Sequence, residues 1–199
     1  MIERDLSIMA ESFTRALAAV DPLITAVTPS QLDNPTPCPG WSVRTLIRHL
    51  ADVQAEFAAI ASGEPAPDQG VDPVAHAGDG NPIAAFRQAS LVARAVFSRP
   101  GMPERIYQFP WGEEPGAKIV QHVVDEMLIH GWDLATATGH PANFPPDLVE
   151  QSLQSWRQWF AEWPRAADDN FGPERPAPVD GSPTDRLAAF LGRPPWEGQ

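Results

Sequence analysis

The sequence predicts an all-α protein: a four-helix bundle followed by an extra C-terminal helix and a proline-rich tail. Three observations carry that prediction. Apolar residues recur at three- and four-residue steps in five stretches; proline and glycine stand at the boundaries between them; and most connections are short. Residues 1–165 read as the bundle and 166–199 as a tail packed on it.

Residues 3–26 place Leu6, Met9, Phe13, Leu17, Val20 and Ile24 on one stripe, which is an amphipathic helix. "TPSQLDNPTPCPGW" then interrupts the pattern with prolines and a glycine, as a loop must, with a helical turn at 28–31 begun by Pro29. The second helix starts after Ser42 as cap and stops at Gly63; its stripe is Leu46, Leu50, Val53, Phe57 and Ile60, with His49 beside it. Residues 63–80, rich in Pro, Gly and Asp, form a long connection of the kind that serves as a lip over a site. The third helix takes Asn81 as cap and Pro82 as its first residue, and ends before Pro100. "RIYQFPWGE" reads as a hairpin-like piece. The fourth helix covers about 115–138 with Gly139 as its stop, the fifth about 146–163, and "DRLAAFLG" is a short amphipathic turn in the tail.

A net charge of −12, with Lys118 the only lysine, argues against phosphate backbones or anionic lipid as partners. The single cysteine, Cys38, permits no internal disulfide and suits a reducing compartment. The acidic N-terminus lacks the pattern of a signal peptide, and no 18-residue apolar run occurs. The expectation is a cytoplasmic protein, monomeric or a homodimer, acting on a small molecule.

The residues with chemistry lie on the fourth helix. His122, Glu126 and His130 follow at four-residue intervals, so adjacent members share a face. Glu-x-x-x-His is not the metalloprotease motif, and alone it reads first as a helix-surface ion pair. His49, at the inner edge of a different helix, adds a third donor that would be costly to bury without a partner. His49, Glu126 and His130 together read as a three-ligand metal site with positions left open, the pattern of a catalytic zinc; the rival reading is a bundle without metal, with Glu126 and His130 a partly buried ion pair and His49 satisfied by a neighbour.

"PTPCPGWSVRTLIRHLADV" and "DEMLIHGWDLATATG" together resemble the DinB-like metal-binding superfamily. The nearer likeness is to the branch containing the mycothiol-dependent maleylpyruvate isomerase N-terminal domain. Its pattern is a Pro-Cys-x-x-Trp entry, a His-Leu helix and His-Gly-Trp-Asp-Leu-Ala on the last bundle helix. The tail is similar to a short, mostly uncharacterised subgroup, and the likeness runs over residues 5–193. The resemblance implies a four-helix bundle holding a divalent ion, commonly zinc, with nickel and others open. It assigns the ligands as two histidines and a glutamate, which here are His49, Glu126 and His130. It implies that the ion activates the sulfur of a low-molecular-weight thiol such as mycothiol, in transferase or isomerase chemistry. The isomerases carry a larger C-terminal domain that contributes to their substrate site, where this chain has a short tail. A non-catalytic metal-binding or stress-response module of the same fold is the alternative.

Other candidates take quieter readings. Asp133 and Asp52, each one turn from a candidate ligand, are acceptors for the imidazoles or solvent-facing, with Asp52 the more solvent-facing. Asp125 reads as solvated and His122 as a surface histidine at the rim. Cys38 is a small buried residue rather than a catalyst. Arg44 and Arg48 pair with acids. Trp41, Phe57, Trp111 and Trp132 are packing or pocket walls, and Trp156, Trp159 and Trp163 lay the fifth helix across the bundle or form an association patch.

Overall fold

The computed structural model describes residues 2–64, 80–109, 112–165 and 171–194, with side chains from residue 11 onward. The side chains of Leu6 and Met9, Trp111, and the connection at 65–79 expected to act as a lip lie outside the described residues. Four long helices, α1 (Ile2–Ala26), α2 (Val43–Ser62), α3 (Pro82–Phe97) and α4 (Gly116–Thr138), form the bundle. Between α3 and α4 stands an antiparallel hairpin, β1 (Ile106–Phe109) and β2 (Gly112–Pro115), where the sequence reads as hairpin-like. The helices α5 (Pro146–Glu162) and α6 (Pro183–Phe190) follow.

The boundaries lie where local chemistry puts them. Ser42 Oγ accepts from the Thr45 amide at the start of α2, and Asn81 Oδ1 accepts from the Ile83 and Ala84 amides at the start of α3. Gly63 and Gly139 end α2 and α4 with φ of +74° and +75°, a left-handed cap that a Cβ would strain.

In the bundle α1 lies between α3 and α4, and α2 lies between the same two on the other side. Phe13, Val20 and Ile24 of the α1 stripe are buried, as are Leu46, Leu50, Val53 and Phe57 of α2; Ile60 is only partly covered. Phe13 and Phe97 meet edge to face at 5.2 Å across the α1–α3 seam. The one polar crossing of the α2–α3 seam described here is satisfied: Ser90 Oγ donates to Gln54 Oε1 at 2.9 Å, and Gln54 Nε2 donates to the Leu50 carbonyl.

Two glycines on α4 set how closely its neighbours approach. A Cβ at Gly131 would come within 2.8 Å of Phe144 and 2.9 Å of Val20, so this position draws α1 against the turn that carries His130. A Cβ at Gly116 would overlap the Met102 carbonyl oxygen, where the chain enters α4 from the hairpin. Backbone cannot step aside as a flexible side chain can. Gly116→Ala is therefore expected to destabilise the fold by about 1–3 kcal/mol, read as a lower urea midpoint at unchanged slope.

After α4 the chain doubles back. The helix α5 packs on α4, and α6 packs on both. Two polar clips fasten α6 and the residues after it to consecutive positions of α4. Trp132 Nε1 donates to Asp185 Oδ1 at 3.0 Å, and Arg193 forms a buried pair with Asp133. Asp185 also closes the capping box of α6 with Ser182.

Candidate metal centre

The donor atoms of His49, Glu126 and His130 meet between α2 and α4, within 4.8 Å of one another. His49 comes from the middle of α2 and is half-buried; Glu126 and His130 come from one face of α4 and are buried. His49 Nε2 lies 3.1 Å from Glu126 Oε2, and His130 Nε2 lies 3.2 Å from the same oxygen. Two imidazoles from separate helices thus aim the same kind of nitrogen at one carboxylate oxygen. The rings meet at 87° with centroids 4.9 Å apart, so their nitrogens converge on a point and do not stack past each other.

The other nitrogen of His130 is also committed. Its Nδ1 lies 3.0 Å from Asp133 Oδ2. Asp133 is fully buried and in turn takes two parallel hydrogen bonds from Arg193, Nε to Oδ1 and Nη2 to Oδ2, both 2.9 Å. With Nδ1–H donated to Asp133, Nε2 is the nitrogen that faces the site; it shares a proton with Glu126 here and offers its lone pair once that proton leaves. A carboxylate behind a ligating histidine is the usual device for fixing that tautomer.

The proline-rich loop between α1 and α2 covers the same site. Trp41 packs at 4.8 Å from the His49 ring and at 5.6 Å, nearly parallel, from the His130 ring. Cys38 is buried in that loop, its Sγ donating to Asp133 Oδ2 at 3.1 Å. Cys38, His130 and Asp133 form a second cluster with metal-ligating atoms. Arg193 argues against a cation there, because its guanidinium already holds Asp133 and reaches Cys38 Sγ at 3.4 Å. The donor set that fits a divalent ion is therefore the His49, Glu126 and His130 group: two imidazoles and one carboxylate, with no arginine or lysine among them.

The electrostatics follow from these contacts. Burial alone would raise the Glu126 carboxyl, but hydrogen bonds from His130 and His49 outweigh it and hold the group well below its ordinary value. Burial would lower His130, yet its hydrogen bonds to the Asp133 and Glu126 carboxylates raise it well above its ordinary value. Burial pushes the Cys38 thiol up, and Asp133 adds to that, with His130 and Arg193 opposing. The thiol is thus held protonated, in line with a small buried residue rather than a nucleophile.

Two readings of the sequence are corrected here. Asp125, expected to be solvated, is only 3% exposed; it accepts from Gln121 Nε2 at 2.7 Å, and burial against α5 drives its carboxyl to about 7. The α5 helix covers the face of α4 that would otherwise meet water. His122, expected on the surface, is half-buried, with its ring 4.8 Å from Phe57 and 6.5 Å from Trp156. Burial lowers its pKa, so it is a neutral aromatic wall of the site's cleft. Arg44 and Arg48 pair with Asp33 and Asp52, and the pair to Asp52 at 3.1 Å leaves that acid on the surface, away from His49. Trp132 reaches α6 as packing. Arg193 is the residue sequence reasoning missed, since nothing in its neighbourhood marks a partner sixty positions away.

A cleft of about 1040 Å³ opens in front of the three donors. Trp41, Phe57, Trp156, Trp159 and Phe171 supply most of its walls, and Trp159 and Trp163 stand exposed at its lip.

Comparison with known proteins gives the family and the fold. Residues 13–135 match the mycothiol maleylpyruvate isomerase N-terminal domain family, a span that includes His49, Glu126 and His130. Uncharacterized proteins from two strains of Mycobacterium tuberculosis are 32% identical over 179 residues, covering 90% of this chain and 94% of theirs. Among solved structures, the mycothiol-dependent maleylpyruvate isomerase superposes with a TM-score of 0.63 at 15% identity, over 79% of this chain and 72% of that one. A mutant of the same enzyme gives 0.64 at 14%. At those identities the structures speak for the helical-bundle fold alone. Among the described residues no helix is long and apolar enough to cross a membrane. With the family match spanning more than half of its length, the chain belongs to the mycothiol maleylpyruvate isomerase N-terminal domain family.

Proposed function

We propose that this protein holds a divalent metal ion, zinc foremost, through His49 Nε2, Glu126 Oε2 and His130 Nε2. On this reading it uses the ion with a small-molecule thiol of the mycothiol kind in a transferase or isomerase reaction. In the same proposal residues 1–165 are the metal-binding bundle and 166–199 the tail that steadies it. The observation that carries the reading is the convergence of two imidazoles from separate helices on one carboxylate oxygen. Family membership supports the thiol partner.

When bound, such an ion lowers the pKa of a coordinating thiol and supplies a thiolate at neutral pH. The chain's own residues do the rest. Asp133, fixed by Arg193, keeps the His130 proton on Nδ1 and so keeps Nε2 available. Trp41 restrains both rings and excludes water from one side. Three protein donors leave room for the sulfur.

The test is metal content of untagged protein after dialysis. Wild type is expected to retain about one ion per chain and His49→Ala far less. Glu126→Ala is expected to weaken binding far more than His122→Ala, which removes only a wall of the cleft. Equal losses from those two would overturn the ligand assignment. Addition of a mycothiol-type thiol to cobalt-substituted protein is expected to shift the cobalt absorption; a spectrum indifferent to thiols would remove the thiol half of the reading.

A further inference from the structure

We infer that the substrate this cleft receives beside the thiol is an uncharged, apolar or aromatic molecule, and not a dicarboxylate. The inference rests on the metal-and-thiol reading above and specifies the substrate class of that same site.

The cleft's charges decide it. Among the described residues that line it, the only lysine or arginine is Arg193. That guanidinium is spent on Asp133 through two 2.9 Å hydrogen bonds and is 6% exposed, so it offers an entering carboxylate a neutralised pair. Arg165 stacks over the far side of the cleft, on the Phe160 ring at 4.2 Å, but it is not among the cleft's lining residues, and its Nη2 donates to the Phe190 carbonyl at 2.7 Å. Residues 65–79, 110–111, 166–170 and 195–199 contain no lysine or arginine, so these segments can supply none, and Arg4 is the one basic side chain in the first ten residues.

A divalent ion, if held by His49, Glu126 and His130, would keep one unit of charge beyond the Glu126 carboxylate, and a coordinating thiolate would neutralise it. A dianion would then enter without a counter-charge between aromatic walls, where an unpaired charge is costly. The volume of about 1040 Å³ accepts a molecule of drug size, and the exposed Trp159 and Trp163, 6.3 Å apart at the lip, offer it apolar surface. Maleylpyruvate, named for the related isomerase, carries two carboxylates. This chain's cleft is built for something else.

The experiment compares two unreactive molecules of one shape and different charge, diethyl phthalate and phthalate. Their binding to cobalt-loaded full-length protein saturated with N-acetylcysteamine, an uncharged small thiol, is followed by tryptophan fluorescence, with the cobalt absorption recorded alongside. Diethyl phthalate is expected to bind at least tenfold more tightly than phthalate. Trp159→Lys places a cation at an exposed lip position that the fold does not need, and it is expected to narrow or reverse that preference. Phthalate binding as tightly as the diester, neither molecule binding, or a preference indifferent to Trp159→Lys would each overturn the inference. Intact cobalt absorption alongside any of those outcomes leaves the metal reading standing. Absent cobalt absorption with the diester still preferred would sink the metal reading alone.

Discussion

Arg193→Ala is expected to lower the unfolding free energy by about 3–5 kcal/mol, the usual consequence of stranding a buried charge by deleting its partner. Asp133 has no exposure and cannot recover its lost hydrogen bonds from water. Its carboxyl would rise toward protonation, since burial already favours the neutral form and it is chiefly the charge of Arg193 that opposes this. A simple loss of packing would give a different pattern. The double variant Arg193→Met/Asp133→Leu, which removes both charges while keeping volume, is expected to regain most of the stability, because apolar replacement of a buried pair is often neutral. Urea unfolding of the metal-free proteins measures both. The single variant is also expected to bind metal about 10–100-fold more weakly, because His130 loses the fixed acceptor behind it. Unfolding of Arg193→Ala no earlier than wild type would show that the pair is not structural.

The second large effect is a pH dependence centred on Asp125. Its folded-state pKa, about 7, stands above the ordinary 3.8. Between those values the folded chain keeps a proton that the unfolded chain has released. The stability this group permits is therefore fully present below about pH 4 and is lost as pH rises through 7, where the native state must hold a buried anion. The spread corresponds to about 4 kcal/mol as an upper bound. Asp125→Asn removes the titration while retaining a hydrogen-bonding side chain beside Gln121 and Ser155. The variant should match wild type near pH 4 and exceed it increasingly up to pH 8. Chelated protein is the right sample, because a cation next door at Glu126 would stabilise the anion. Parallel stability curves for the two proteins across that range would refute the assignment.

The helices and their ends were legible because the signals are local. Ser42, Gly63, Asn81, Pro82 and Gly139 act on backbone groups within one turn, so their positions in the chain carry the information. The three donor residues could be picked out because four-residue spacing fixes a shared face for Glu126 and His130, and an imidazole at the apolar edge of α2 needs a partner. Burial imposed from a distance was not legible. Asp125 and His122 sit on α4 where a free-standing four-helix bundle would expose them; only the packing of α5 turns one into a buried acid and the other into an aromatic wall. The hydrogen-bonded chain from Arg193 through Asp133 to His130 spans sixty residues, and no spacing rule encodes it.

That chain of contacts orders events during synthesis. Every bundle helix, and all three donors with them, emerges from the ribosome before the arginine that locks the aspartate behind His130. The fixed acceptor behind the histidine is therefore completed only when the last packed segment docks, after release of the chain, and loss of that segment would leave the three donors on their helices with His130 less firmly held.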